Sequence, residues 1–143
     1  MTSLVPAGTL RPTRSTSIDL VTTAGPVAMT VDDLDRTRPF LLLHGGAGRS
    51  SMDGFADLLA HRTHSRVLAP THPGFGGTPR AAHLYTTRDL AGAYVALLDR
   101  LDLSDVTVIG NSFGGWVATE IALLGSPRVS GIVIVDGIGI QVI

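Results

Sequence analysis

Apolar positions along the chain follow two patterns, short β-rich runs and longer stripes with helical spacing. Two β-rich segments, residues 15–23 and 25–31, lie on either side of Ala24-Gly25-Pro26 and predict a hairpin at a sheet edge. The continuous apolar run Phe40-Leu41-Leu42-Leu43 is typical of a strand buried on both faces. Further apolar runs predict three more strands, over residues 66–70, 106–109 and 129–135.

Helical stripes lie between these strands. The clearest covers residues 86–101, where Thr86 and Asp89 match a capping box at the start. Two further helices are predicted over residues 51–61 and 113–124, and the second of them ends at Gly125. Apolar residues of the first two stripes recur at intervals of three and four: Phe55, Leu58, Leu59, Leu90, Tyr94, Leu97, Leu98 and Leu101. Because strands alternate with helices, we expect an α/β fold with a mostly parallel sheet and helices on both faces.

Length and composition narrow the possible classes of protein. The chain has 143 residues, of which 44% are hydrophobic, and this suits one modest domain after a flexible leader over residues 1–15. A net charge of −1 argues against a nucleic-acid partner. No apolar run reaches the ~18 residues of a membrane span, so we expect no membrane partner and a cytoplasmic location. Lysine and cysteine are absent, which excludes lysine and thiol catalysis and cysteine-ligated metals.

A glycine-rich turn carries the strongest chemical signal. Gly110-Asn111-Ser112-Phe113-Gly114 matches the pattern G-x-S-x-G and falls between a predicted strand and a predicted helix. Small residues let strand and helix approach closely, so that Ser112 projects at the carboxyl edge of the sheet. The positive end of the helix beginning at Phe113 favours negative charge at this place. The pattern predicts a serine nucleophile, and the plainer interpretation is a tight turn.

A second glycine-rich stretch follows the strand that begins at Phe40. It spans residues 44–48 and predicts an oxyanion loop, in which the N–H groups of Gly46 and Phe113 would bind a developing oxyanion. The alternative is a flexible strand-to-helix loop. A phosphate loop needs a lysine, so no nucleotide or other cofactor is expected. His72 and His83 are interpreted as loop or surface histidines, and no metal site is expected.

Three blocks, residues 40–48, 70–78 and 108–116, together resemble the α/β-hydrolase superfamily of the AB hydrolase-1 type. The resemblance covers roughly residues 16 to 140 and implies an N-terminal part only, a core that stops after the sixth strand. Family members place the acid and then the histidine after the serine. No histidine follows Ser112 in this chain, and Asp136 is the candidate acid. The cap domain and the seventh and eighth strands that the resemblance implies are not found in residues 16–143.

Two functions from different classes therefore stay open. The first is a serine hydrolase acting on a small-molecule acyl or ester substrate, or on a carbon–carbon bond, of which this chain is an incomplete part without the histidine of the triad. The second is a non-catalytic module that retains the hydrolase pocket and binds a ligand or oligomerises. The apolar strand over residues 131–135 would then be an open sheet edge available for self-association.

Overall fold

The computed structural model describes residues 14–34, 39–139 and 141 and shows the expected α/β fold. Three helices are present in these residues, and a 3-10 turn, Arg49–Met52, precedes the first. The strands are β1 (Arg14–Thr22), β2 (Gly25–Leu34), β3 (Pro39–Leu43), β4 (Arg66–Thr71), β5 (Val106–Asn111) and β6 (Val129–Val135). The helices are α1 (Asp53–Thr63), α2 (Thr87–Arg100) and α3 (Phe113–Leu124). Among the described residues, no helix is both long enough and apolar enough to cross a membrane.

One sheet joins the six strands in the order β1-β2-β4-β3-β5-β6. Strands β3, β4, β5 and β6 are mutually parallel, and β2 runs antiparallel to both β1 and β4. The predicted hairpin is confirmed, because β1 pairs with β2 and lies at the edge. Of the leader expected over residues 1–15, only Arg14 and Ser15 are described, and both belong to β1. The order brings the carboxyl ends of β3 and β5 side by side, and candidate chemistry follows both strands.

Helices cover both faces of this sheet, as predicted. Successive side chains of a strand point to opposite faces. Leu41 and Leu43 therefore pack in a cluster with α2 and α3, whereas Leu42 packs in a second cluster with α1. The capping box of α2 is also confirmed, because Thr86 and Asp89 exchange side-chain to backbone hydrogen bonds.

Helix α1 differs from its sequence pattern in the face that it buries. Phe55 and Leu58, which have helical spacing, are 43% and 52% exposed. The buried positions are Ala56 and Ala60 instead, and they pack against the sheet beside Val67 of β4. Small alanine side chains let the helix axis approach the strands closely, so the larger side chains are directed away from the contact.

Strand β6 is the second edge of the sheet, and its apolar side chains are only partly covered. Val133, Ile134 and Val135 are 45%, 41% and 45% exposed. Leu41 and Leu43 of the central strand β3 are fully buried by comparison. The apolar edge expected over residues 131–135 is therefore present in the fold.

Candidate active site

Ser112 occupies a sharp turn between β5 and α3. Its backbone has φ 54° and ψ −114°, a region that residues other than glycine rarely adopt. Two flanking segments hold it there. The Ser112 N–H donates to the carbonyl of Val135 at 2.9 Å, and the Ser112 carbonyl accepts from the N–H groups of Gly115 at 2.9 Å and Ile138 at 3.3 Å. The strained turn is thus built into the sheet through β6 and the segment that follows it.

Glycine is required at two positions of this turn because three backbones meet there. A Cβ atom on Gly114 would lie 2.6 Å from the carbonyl carbon of Leu43 and closer still to its oxygen. A Cβ atom on Gly110 would overlap the carbonyl group of Gly114 in the same way. The small residues predicted to let strand and helix approach therefore do so, and α3 also lies directly on the end of β3.

The glycine loop after β3 lies against the turn that holds Ser112. A backbone hydrogen bond from the Gly48 N–H to the Gly45 carbonyl, 3.1 Å long, closes a tight turn with Gly46 near its tip. A Cβ atom on Gly45 would lie 3.0 Å from Cβ and 3.6 Å from Oγ of Ser112, whereas one on Gly46 would meet nothing within 4 Å. Gly46 is exposed at this edge. The structure thus brings Ser112, the loop and Phe113, the first residue of α3, together.

His72 lies in the loop after β4, as expected, but it is buried, so its interpretation as a surface histidine is wrong. Its side chain is 0% exposed, and its Nε2–H donates to the His44 carbonyl at 2.6 Å. The His72 backbone N–H in turn donates to Nε2 of His44 at 2.9 Å. The hydroxyl of Tyr94, on α2, forms a short hydrogen bond with Nδ1 of His72. His83 is exposed, as expected.

Both buried histidines are neutral near pH 7. Burial, together with the neighbouring His44, lowers the pKa of His72 from 6.5 to about 3. Burial also lowers the pKa of His44. The rings of Phe75 and Phe113 contact His72 edge-on, with centroids 5.5 and 5.4 Å away, and exclude water from it. A sequence signal for this cluster exists, because His44 and His72 follow adjacent parallel strands and a buried tyrosine needs a partner for its hydroxyl.

Asp136, the candidate acid, follows β6 and has an exposed side chain and a positive φ of 45°. Its backbone neighbours Val135 and Ile138 bond to Ser112, so the segment that carries Asp136 packs on the turn. All five histidines precede Ser112 in the sequence, and two of them have their ring nitrogens engaged in the buried cluster. Within the described part of the chain, no group of three or more His, Asp or Glu could hold a metal ion.

A groove opens beside the turn, between the loop after β4 and the start of α2. Its volume is about 220 Å³. Its wall is nearly as polar as it is apolar and is lined by Pro73, Phe75, Leu84, Tyr85, Thr86, Thr87, Leu90 and Phe113. Phe113, which directly follows Ser112, is the lining residue nearest to the turn in the sequence.

Known proteins share both sequence and fold with this chain. The chain is 31% identical over 121 residues to a 2-hydroxy-6-oxo-2,4-heptadienoate hydrolase of Pseudomonas putida. It is 33% identical over 122 residues to an sn-1-specific diacylglycerol lipase of Danio rerio. Each alignment covers 82% of this chain, but only 44% and 38% of the respective relative. The chain therefore spans less than half the length of these curated relatives.

Solved structures give the same result. A probable hydrolytic enzyme from Pseudomonas aeruginosa PAO1 matches with a TM-score of 0.77 and 31% identity, over 90% of this chain and 43% of that one. A thermophilic esterase from Thermogutta terrifontis matches with a TM-score of 0.76 and 26% identity, over 85% of this chain and 46% of that one.

A family model also matches the sequence. The model for the alpha/beta hydrolase fold covers residues 38–141. This chain belongs to the alpha/beta hydrolase family.

Proposed function

We propose that this chain carries the nucleophile and the oxyanion site of a serine hydrolase. The observation that carries the proposal is the strained turn at Ser112, with the Gly45–Gly46 loop packed directly against it. Strain at a single non-glycine residue persists only where the surrounding structure enforces it, and it concentrates at functional sites. A simple tight turn would not need a serine at this backbone conformation.

The proposed chemistry is acyl transfer to Ser112. Its Oγ attacks a carbonyl carbon and gives its proton to a general base, and the N–H groups of Gly46 and Phe113 bind the oxyanion that forms. When the oxyanion collapses, the bond from the carbonyl carbon to the leaving group breaks, and the leaving group takes up the proton. The Phe113 N–H has no acceptor within its own helix, because it belongs to the first turn of α3. An oxyanion donor of this kind contributes about 3–4 kcal/mol of transition-state stabilisation.

The general base for Ser112 is not one of the two buried histidines. No histidine follows Ser112, and the ring nitrogens of His44 and His72 are engaged in hydrogen bonds within the buried cluster. We propose that this chain corresponds to the nucleophile-bearing part of a longer hydrolase, with Asp136 as the candidate acid. Without a base, a serine hydroxyl is a weak nucleophile, and the oxyanion site and binding alone leave about 10³–10⁴-fold catalysis over water.

The relatives and the groove support a proposal for the substrate class. Two relatives act, by their names, on a 2-hydroxy-6-oxo-2,4-heptadienoate and on a diacylglycerol. Both compounds offer a carbonyl carbon and carry polar groups as well as hydrocarbon. The groove beside Phe113, whose wall is partly polar and partly apolar, suits such compounds. We therefore assign small acyl compounds, esters or dienoate ketones, as the substrates.

A fluorophosphonate probe tests the nucleophile directly when free imidazole is supplied as a base. The expected result is one covalent adduct per chain, located on Ser112, that forms faster as imidazole is added. Intact mass and peptide mapping measure it. The Ser112→Ala variant, which removes only Oγ, should fold normally and gain no adduct with or without imidazole.

The exposed edge of β6 favours the second candidate function, a module that pairs with another copy of itself. The same samples distinguish the two functions. A chain that folds, stays unlabelled in imidazole and sediments as a dimer would be the non-catalytic module. A labelled chain is the nucleophile-bearing part of a hydrolase, whatever its oligomeric state.

A further inference from the structure

The buried cluster of Tyr94, His72 and His44 connects helix α2 to the proposed oxyanion loop. We propose that Tyr94 and His72 are positioning residues that set the direction of the Gly46 N–H, acting through His44. This inference rests on the proposed function only for its catalytic consequence. The hydrogen bonds themselves are a property of the fold.

The polarity of each hydrogen bond follows from its partner. Nε2 of His44 accepts from a backbone N–H, so the proton of His44 lies on Nδ1. Nε2 of His72 faces a carbonyl oxygen, so its proton lies on Nε2 and its Nδ1 accepts from the Tyr94 hydroxyl. All three side chains are fully or almost fully buried. Each ring nitrogen of the two histidines, and the Tyr94 hydroxyl, therefore has one role as hydrogen-bond donor or acceptor.

The planar peptide between Gly45 and Gly46 links these hydrogen bonds to the direction of the Gly46 N–H. The Nδ1–H of His44 donates to the Gly45 carbonyl at 2.7 Å. That carbonyl and the Gly46 N–H belong to one planar peptide and point in opposite directions. Because the Gly45 carbonyl is held toward the protein interior, the Gly46 N–H points away from the interior. No side chain stands within 4 Å of where a Gly46 Cβ would lie, so the direction of this amide depends on the peptide hydrogen bonds.

Tyr94 acts at the start of this sequence of bonds. Its hydroxyl occupies Nδ1 of His72 and so keeps the His72 proton on Nε2, against the His44 carbonyl. Removing the hydroxyl leaves a buried nitrogen without a donor. The His72 ring is then held by one polar contact instead of two, so the direction of its Nε2–H bond to the His44 carbonyl is less fixed. The loop would be held less rigidly at His44.

Matched substitutions separate positioning from stability. Tyr94→Phe removes the hydroxyl that donates to Nδ1 of His72. His72→Asn retains a group near Nδ1 but cannot reach the His44 carbonyl, whereas the amide of His72→Gln extends to the place of Nε2–H. Leu98→Val, one turn along the same buried face of α2, lowers stability without touching a polar contact.

We expect Tyr94→Phe and His72→Asn to slow adduct formation at Ser112 about tenfold per folded molecule. His72→Gln should stay within about threefold of wild type, and Leu98→Val should be unchanged.

Amide NMR gives a readout that does not depend on reactivity. The Gly46 cross-peak should move in Tyr94→Phe and His72→Asn, return near its wild-type position in His72→Gln, and stay in place in Leu98→Val. An unmoved Gly46 peak in Tyr94→Phe would overturn the positioning role, and so would equal slowing by Leu98→Val. If the wild type itself forms no adduct in imidazole, the proposed function fails, and the Gly46 peak alone decides whether the cluster orients this amide.

Discussion

Gly114→Ala should destabilise the fold by at least about 3 kcal/mol, enough to unfold much of a marginally stable domain. The added methyl group would lie 2.6 Å from the carbonyl carbon of Leu43 and 2.9 Å from the His44 oxygen. Both are backbone atoms, so no side chain can move aside. Helix α3 would have to shift away from β3, and the turn at Ser112 would shift with it. Urea denaturation followed by circular dichroism measures the loss.

Gly92→Ala is the matched control for this experiment. Gly92 lies inside α2, and a Cβ atom there would meet nothing within 4 Å. The same substitution should therefore stabilise the chain by about 0.5–1 kcal/mol, the usual gain of alanine over glycine in a helix. Equal stability of the Gly114→Ala and Gly92→Ala variants would show that α3 does not lie directly on β3.

Acid should destabilise this protein below pH 6.5, and His72 should account for much of the loss. In the unfolded chain, His72 takes up a proton near its ordinary pKa of 6.5, but in the fold burial lowers this pKa to about 3. Unfolding therefore binds a proton between these two pH values, so the free energy of unfolding falls as the pH is lowered. The slope for one proton is about 1.4 kcal/mol per pH unit, or about 2 kcal/mol from pH 6.5 to pH 5.

Urea titrations at a series of pH values between 7.5 and 4.5 measure this dependence. His72→Gln removes the buried imidazole. The free energy of unfolding of this variant should change less steeply with pH, by an amount that corresponds to nearly one bound proton. His61→Gln removes an exposed histidine on α1 and serves as the control. A slope that stays the same in His72→Gln would mean that the imidazole of His72 is not buried in a neutral form.

Local sequence patterns predicted most of the fold, because the main elements have strong local signals. The stripe that includes Tyr94 and the box of Thr86 with Asp89 placed α2 to within a residue at either end. The apolar run at Phe40 placed β3. The turn at Ser112 was predictable as well, because G-x-S-x-G between a strand and a helix is a local pattern. The contact of Gly114 with Leu43 of β3, in contrast, joins residues far apart in the sequence.

The buried cluster could not be predicted from local patterns. His72 lies in a glycine-rich loop, where a histidine is ordinarily exposed, and its burial depends on α2 closing over it. The partners of His72 are 28 and 22 residues away along the chain. The burial of Ala56 rather than Phe55 in α1 has a similar cause, since the distance between helix and sheet decides which side chains fit. Both outcomes depend on tertiary packing.

The thiol pKa of the Ser112→Cys variant is the most direct measurement of whether this turn presents a nucleophile in a site that favours negative charge. The chain has no cysteine, so this variant carries one thiol, and it needs no general base. Helix N-termini lower the pKa of a thiol. Ser104→Cys, exposed in the connection between α2 and β5, is the reference.

The pH dependence of alkylation by iodoacetamide gives both thiol pKa values. We expect Ser112→Cys to react with a midpoint at least about one pH unit below that of Ser104→Cys. A midpoint equal to or above that of Ser104→Cys, or a thiol that does not react in the folded chain, would show that the site does not favour negative charge at residue 112.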